Sequence, residues 1–358
     1  MPLSSFQIRL RSNTIIWYTR RASSVAIILF ALYGIRAQTV NHDRKPLASI
    51  SDEELKYKPT GTRFRKHPAT QQLIEYAVSG KIRHDQRTHT YLLEWMGYDG
   101  RIKKLNWIPP NKVNAVVAGV VHYNAGARLF EYSYEVVNLP NSLQKLQSFY
   151  VTSQKEVVGG SNPNETWYSS GFTPYLRKVF KTEDGWTWSQ TIGGRLGLEP
   201  GESSKGFSFR SGGVPVLGKC YVRGYTETLH ASEDVPEELM DAIDRAAWKV
   251  PYGYTIVPGL PPDKLSPQVI VENMSQALRI AAEQGWFAKT YDGNDLLRSI
   301  EEMRRAIDSE SHNEVLHITE KAAHLADAAS AHQLISSELH GLLTYNLMVL
   351  RREAGGAR

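Results

Sequence analysis

The chain has 358 residues, of which 41% are hydrophobic and 22% charged; this excludes disorder throughout and leaves enough apolar material for two packed domains. The formal charge is +5, but Arg9, Arg11, Arg20 and Arg21 near the N-terminus account for four of those units, so the rest is close to neutral and no nucleic acid is expected as a partner. A single cysteine, Cys220, excludes an intramolecular disulfide framework, so the cores alone must hold the fold.

Residues 1–37 read as a signal peptide. The arginines are followed by the uncharged run from Ala22 to Ile35 and then by Arg36 and Ala37. That order of charge and hydrophobicity suits a translocon, and the run is shorter than the roughly 20 residues of a membrane span. Cleavage is expected after Ala37 and the product outside the cytoplasm: secreted, periplasmic or at the cell surface. No second apolar run of membrane-spanning length follows the leader.

Residues 38–110 are poorly defined by pattern. Ser51 to Leu55 has the outline of a helix start. Lys56, Lys58, Arg63, Arg65, Lys66 and His67 form a basic run that reads as a solvated surface, able at most to touch anionic lipid or cell-wall polymer. Tyr91 to Gly100 reads as a strand followed by a glycine turn. It resembles the strand of chromodomains, where aromatic rings enclose a methylated lysine, but an exported chain does not meet histones.

From 111 to 230 the hydrophobic period becomes two. Strands are expected at Val113 to Val121, Leu129 to Val136, Leu146 to Thr152, Leu176 to Phe180, Trp186 to Gln190, Gly206 to Phe209 and Lys219 to Thr226, with Gly, Asn and Pro turns between them. Short strands at this spacing predict an antiparallel β-sandwich. Residues 231–267 combine an amphipathic helix, Asp234 to Trp248, with a stretch containing Pro251, Pro258, Pro261, Pro262 and Pro267, which reads as a stiff linker.

Residues 268–358 read as helical. Ser266 and Pro267 open one helix, which ends at Gly285, and Asn294 is expected to cap the next. Three amphipathic stretches carry Leu296, Ile300 and Met303, then Val315, Ile318 and Ala322, then Leu339, Leu343 and Leu350; they predict a small antiparallel helical bundle. The fold class is therefore α+β multidomain, an antiparallel β-sandwich followed by that bundle.

Motif chemistry is sparse. His317 and His324 share a helix face but are about two turns apart, too far to share a metal ion. Ser142 and Lys145 match Ser-x-x-Lys without its companion Lys-Thr-Gly strand. The Gly193-Gly194-Arg195 segment lacks the rest of a phosphate loop. No catalytic residue, metal site or cofactor is expected. Trp167, Tyr168, Trp186 and Trp188 are the candidate ligand-binding residues, because rings on a sandwich face can stack on sugars or peptides. Trp186 and Trp188 should lie on one face of their strand.

Two patterns resemble known modules. The helical tail, Leu296 to Ile307 and Leu334 to Leu350, resembles the FIMAH-type helical module of bacterial exported proteins. The segments Tyr132 to Asn138 and Pro200 to Phe209 are similar to β-sandwich modules of uncharacterised bacterial surface proteins. Both imply an accessory role outside the cytoplasm and bring no catalytic residues. The expected function is thus a non-enzymatic protein of the cell envelope, used for binding, adhesion or scaffolding, with an envelope polymer or surface protein as partner. The alternative is a secreted polysaccharide hydrolase, in which two of Glu131, Glu135, Glu199 and Glu202 converge beside the tryptophans.

Overall fold

The computed structural model describes residues 44–47, 62–66, 70–77, 80–97, 101–182, 184–190, 196–226, 235–247 and 249–356. The leader-like stretch 1–37, the Ser51 to Leu55 helix start, Lys56, Lys58, His67 and the Gly193 to Arg195 loop lie outside the described residues.

The first five strands occupy the stretch that pattern alone leaves undefined. A hairpin pairs β1 (Thr62–Lys66) with β2 (Leu73–Ala77). A separate antiparallel sheet follows, made of β3 (Gly80–Asp85), β4 (Thr90–Met96) and β5 (Ile102–Trp107). The chain then runs through β6 (Ala115–Asn124), β7 (Leu129–Asn138), β8 (Leu146–Ser153), β9 (Val157–Ser161), β10 (Trp167–Gly171), α1 (Pro174–Phe180), β11 (Asp184–Gln190), β12 (Ser203–Ser211) and β13 (Pro215–Gly224). After these come α2 (Glu237–Ala247), β14 (Tyr252–Pro258), α3 (Pro267–Gln284), α4 (Asn294–Asp308), α5 (His312–Ala331) and α6 (Ser337–Gly356).

The antiparallel β-sandwich consists of a four-stranded sheet ordered β6-β7-β12-β9 and a five-stranded sheet ordered β10-β11-β8-β13-β14. Period-two alternation builds its interior. Phe130, Tyr132, Tyr134 and Val136 of β7 are buried while the residues between them face outward. Trp188 stacks on Phe149 of its own sheet at 4.7 Å and on Phe209 of the facing sheet at 5.8 Å. Each such fully buried side chain contributes roughly 1.5–3 kcal/mol through the apolar area withdrawn from water. The Tyr134 hydroxyl donates to the Ile256 carbonyl at 2.9 Å and that of Tyr132 to the Gly213 carbonyl at 2.8 Å, so both rings are buried with their polar ends satisfied.

Two predicted elements are corrected. Leu176 to Phe180 is helical, not extended. The Thr173 hydroxyl accepts from the Leu176 N–H, Pro174 starts the first turn, and Lys181 closes the helix in the left-handed region. Leu176 and Phe180, one turn apart, are buried beside Tyr150 and Phe172. The Pro-rich linker contains a strand: β14 pairs antiparallel with β13 from Pro215↔Pro258 to Tyr221↔Tyr252. Pro251 falls just before the strand, Pro258 at its last position and the other three after it, where the missing N–H costs the ladder little.

The helical region has four packed helices, α3 being joined to the three expected. Ser266 caps α3 by accepting from the Val269 N–H, and Gly285 ends it with φ 71°. The N-cap of α4 is Gly293, not Asn294; the Asp292 carboxylate accepts from both the backbone and side-chain N–H of Asn294. The sandwich and helices share one continuous apolar core, not two cores joined by a tether. Helix α6 lies along the outer edge of β6. The Gly119 N–H donates to Glu338 at 3.0 Å and the Tyr123 N–H to the Tyr345 hydroxyl at 3.1 Å. Leu47 occupies the same edge, donating its N–H to the Ala115 carbonyl at 3.1 Å.

Candidate binding face

The sheet β3-β4-β5 has a small core of its own. Tyr91, Leu93 and Trp95 of β4 and Trp107 of β5 point to one side and are buried against Val235, Leu239 and Ile243 from α2 and the residues before it. His84 stacks on Tyr91 with ring centroids 4.5 Å apart. The rings that resemble a chromodomain strand are therefore core, not an open aromatic cage. The sheet is fastened to the sandwich through Gln144, whose side-chain amide donates to the carbonyls of Ile108 and Tyr225 and accepts from the Lys112 N–H.

Because side chains alternate along a strand, the opposite face is defined by the same register. Lys81, Glu94 and Lys104 lie opposite one another across the three strands, and Arg83, Leu92 and Asn106 form the next row. Met96 pairs with Ile102, which is 63% exposed. Glu94 is held at the centre, with Lys104 Nζ 3.0 Å from one carboxylate oxygen and Arg83 Nη2 3.7 Å from the other. The Lys104 ammonium, hydrogen-bonded to it, keeps the Glu94 carboxyl below its ordinary range. The two cations remain about two-thirds exposed, at 65% for Arg83 and 61% for Lys104, while the Glu94 side chain is only 13% exposed. Residues 62–107 contain nine Lys and Arg against four Asp and Glu, so this part of the chain is basic even though the chain beyond residue 37 is nearly neutral.

Hydrogen bonds tie the strand ends on either side of β4. Asp85 accepts from the backbone N–H groups of Arg87 and Thr88, and the bonds from Thr88 and Arg87 hold its carboxyl below the ordinary range. The Gly97 N–H donates to the Arg101 carbonyl at 2.9 Å, joining the end of β4 to the start of β5.

The predicted aromatic platform does not form. Trp186 and Trp188 do share a face, but it is the inner one: Trp188 is fully buried, and Trp186 packs half-buried against Phe209 and the backbone of Gly160. A Cβ at Gly160 would come within 2.5 Å of the Trp186 ring, so glycine there is what admits the indole. Trp167 is buried against Phe149 and Phe207. Tyr168, the adjacent residue on the other face, is 55% exposed and stands apart from the three indoles.

The acids are dispersed. Glu131 and Glu135 occupy outward positions on β7. Partial burial raises the carboxyl of Glu135, opposed by Lys205 across the strand pair. Glu199 pairs with Lys145 at 2.7 Å, and Glu202 accepts from the Glu199 N–H within a turn. Ser142 is tied to the backbone of Asn114, so the Ser-x-x-Lys pair is not assembled. Cys220 is fully buried, and burial pushes its thiol up to about 12. Among the described residues, no group of three or more His, Cys, Asp or Glu is placed to hold a metal ion. A surface depression of about 430 Å³ between α3 and α4, lined by Val269, Ile307 and Asp308, is crossed by the Arg304–Glu272 pair at 2.7 Å.

This candidate face is not among the residues expected from the sequence. Its signal is alternation across 80–107, with Ile82, Tyr91, Leu93, Trp95 and Trp107 on one side and Lys81, Arg83, Glu94 and Lys104 on the other.

No described helix is long and apolar enough to cross a membrane. No protein-family model and no curated protein matches the chain. Among solved structures, the chain is similar to an uncharacterized protein from Nocardia farcinica with an immunoglobulin-like fold, at 14% identity and a TM-score of 0.21, covering 39% of this chain and 95% of that one.

Proposed function

We propose that this is an exported, non-catalytic protein that binds a component of the cell envelope, with the face of β3-β4-β5 as its contact surface. The sandwich and its docked helices serve as the carrier. The observation behind this reading is the basic face: Lys81, Arg83 and Lys104, from two adjoining rows, project from a sheet whose aromatic face is used in packing. The leader pattern of residues 1–37 and the resemblance of the tail to FIMAH-type modules support the compartment. The hydrolase reading has no comparable support, because Glu131 and Glu135 face away from the core that holds Trp188 and Glu199 is paired with Lys145.

The test is fractionation of cells expressing the whole chain, with N-terminal sequencing of the recovered protein. The expected result is a mature protein starting at Gln38 that co-sediments with envelopes, and a twin carrying Arg83→Glu and Lys104→Glu that is largely released. Recovery of the uncut chain from the cytosol would overturn the reading, as would envelope retention that the charge reversals leave unchanged.

A further inference from the structure

We infer that the partner of this face is a linear envelope polymer whose repeats carry phosphodiester groups, engaged through charge without ring stacking or insertion. The inference rests on the binding role proposed above and narrows its ligand. Three features of the face select this class. First, Lys81 and Lys104 flank Glu94 across two strand spacings, about 10 Å in all, and Arg83 sits in the adjoining row. Such a set meets successive charges along an extended chain better than one compact anion.

Second, the described residues of this face offer no ring. Tyr91, Trp95 and Trp107 all face the interior, so the face lacks the stacking surface on which single-stranded nucleic acid bases rest or on which a neutral sugar would stack. Third, its apolar content is small. Ile102 is strongly exposed, but Leu92 and Met96 are half-buried, which is too little for insertion into a lipid interface. A polymer of regularly spaced phosphodiesters needs neither rings nor insertion. Its charges are permanent near neutral pH, and ammonium and guanidinium groups are suited to it.

Glu94 gives the inference a sharper consequence. It occupies Lys104 and lies near Arg83 in the free protein, so it competes with the polymer for the same cations. Replacing its charge should therefore strengthen binding, whereas a residue that merely braced the sheet would weaken it when changed.

The experiment measures binding of the full chain to immobilised poly(glycerol phosphate), with alginate, single-stranded DNA and phosphatidylglycerol vesicles as parallel probes. Wild-type protein is expected to prefer poly(glycerol phosphate). With three cations engaged, affinity should fall about fifteen-fold between 50 and 200 mM salt, following a log–log slope near −2. Arg83→Gln with Lys104→Gln should weaken binding at least about tenfold while the circular dichroism spectrum is unchanged, and Glu94→Gln should tighten it several-fold. A preference for alginate, DNA or vesicles, a flat salt response, or weaker binding by Glu94→Gln would overturn the inference. Failure on poly(glycerol phosphate) while intact envelopes still retain the wild type and release the charge-reversed twin refutes this ligand but leaves the binding role standing.

Discussion

Arg44 and Glu338 form an ion pair at 2.5 Å in which both side chains are less than a tenth exposed, at 8% and 6%. Glu338 also accepts from the Gly119 N–H, and the Arg44 guanidinium lies over the Trp286 ring at 5.0 Å. Three separate parts of the chain therefore meet at one carboxylate: the segment before β1, strand β6 and helix α6. Removing one partner of a buried pair strands the other charge away from water, at a cost of about 3–5 kcal/mol, while replacing both by apolar groups of similar size is often neutral. Glu338→Leu and Arg44→Met are each expected to lower the unfolding free energy in urea by that amount, and the double substitution by clearly less than their sum. Additive losses would mean that the two groups do not act as a pair. Neither residue stands out in the sequence, because they are almost three hundred positions apart and pairing at that range is written only in the folded backbone. The same reason hid the role of the tryptophans. Alternation put Trp186 and Trp188 together, but which face is inward depends on Phe209 from another sheet.

At the scale of elements, legibility followed the strength of local signals. The caps Ser266 and Gly285 and the apolar stripes of α4 to α6 were readable because helix chemistry is local. Leu176 to Phe180 was misread because its β-branched and aromatic content outweighed the Thr173-Pro174 start that decides the matter. Strand β14 was missed because five prolines overshadowed Tyr252 to Val257, whose pairing with β13 is nonlocal. How α6 meets β6 was wholly unreadable. An unpaired strand edge invites association with other chains, and here that edge is covered by a helix. Gly341 allows the close approach: a Cβ there would stand 3.0 Å from Val121 Cγ1. Gly341→Leu is expected to push α6 off the strand, lowering stability by about 1–3 kcal/mol as overpacking does and exposing the β6 edge to intermolecular pairing. Thermal unfolding and size-exclusion chromatography would show a lower midpoint with new oligomers. A monomer of unchanged stability would mean that the helix does not guard the edge.

Across the whole molecule, apolar burial is unevenly divided. One core runs without interruption from the sandwich into α3 to α6, and the buried Asn346 side chain reinforces it by donating to the Pro215 carbonyl at 2.7 Å. The β3-β4-β5 sheet instead rests on a separate cluster, which among the described residues holds Tyr91, Leu93, Trp95, Trp107, Val235, Leu239 and Ile243. Cooperativity follows shared burial, because a unit that buries little of its surface against the rest can open without exposing the main core. The sandwich and helices should therefore unfold in a single calorimetric transition, with no separate melting of a C-terminal bundle, even though composition and period divide the chain into two domains at that point. Native-state hydrogen exchange should place the amides of β3 to β5 and α2 in a less protected class than those of β7, β8, α3 and α6. Two resolved transitions, one lost when residues 268–358 are removed, would show that the helices are a tethered module after all. The proposed binding face on a sheet with a small core of its own is consistent with its proposed task, since a surface that reads a flexible polymer by charge needs its rows of cations held in register but takes little from the core beneath.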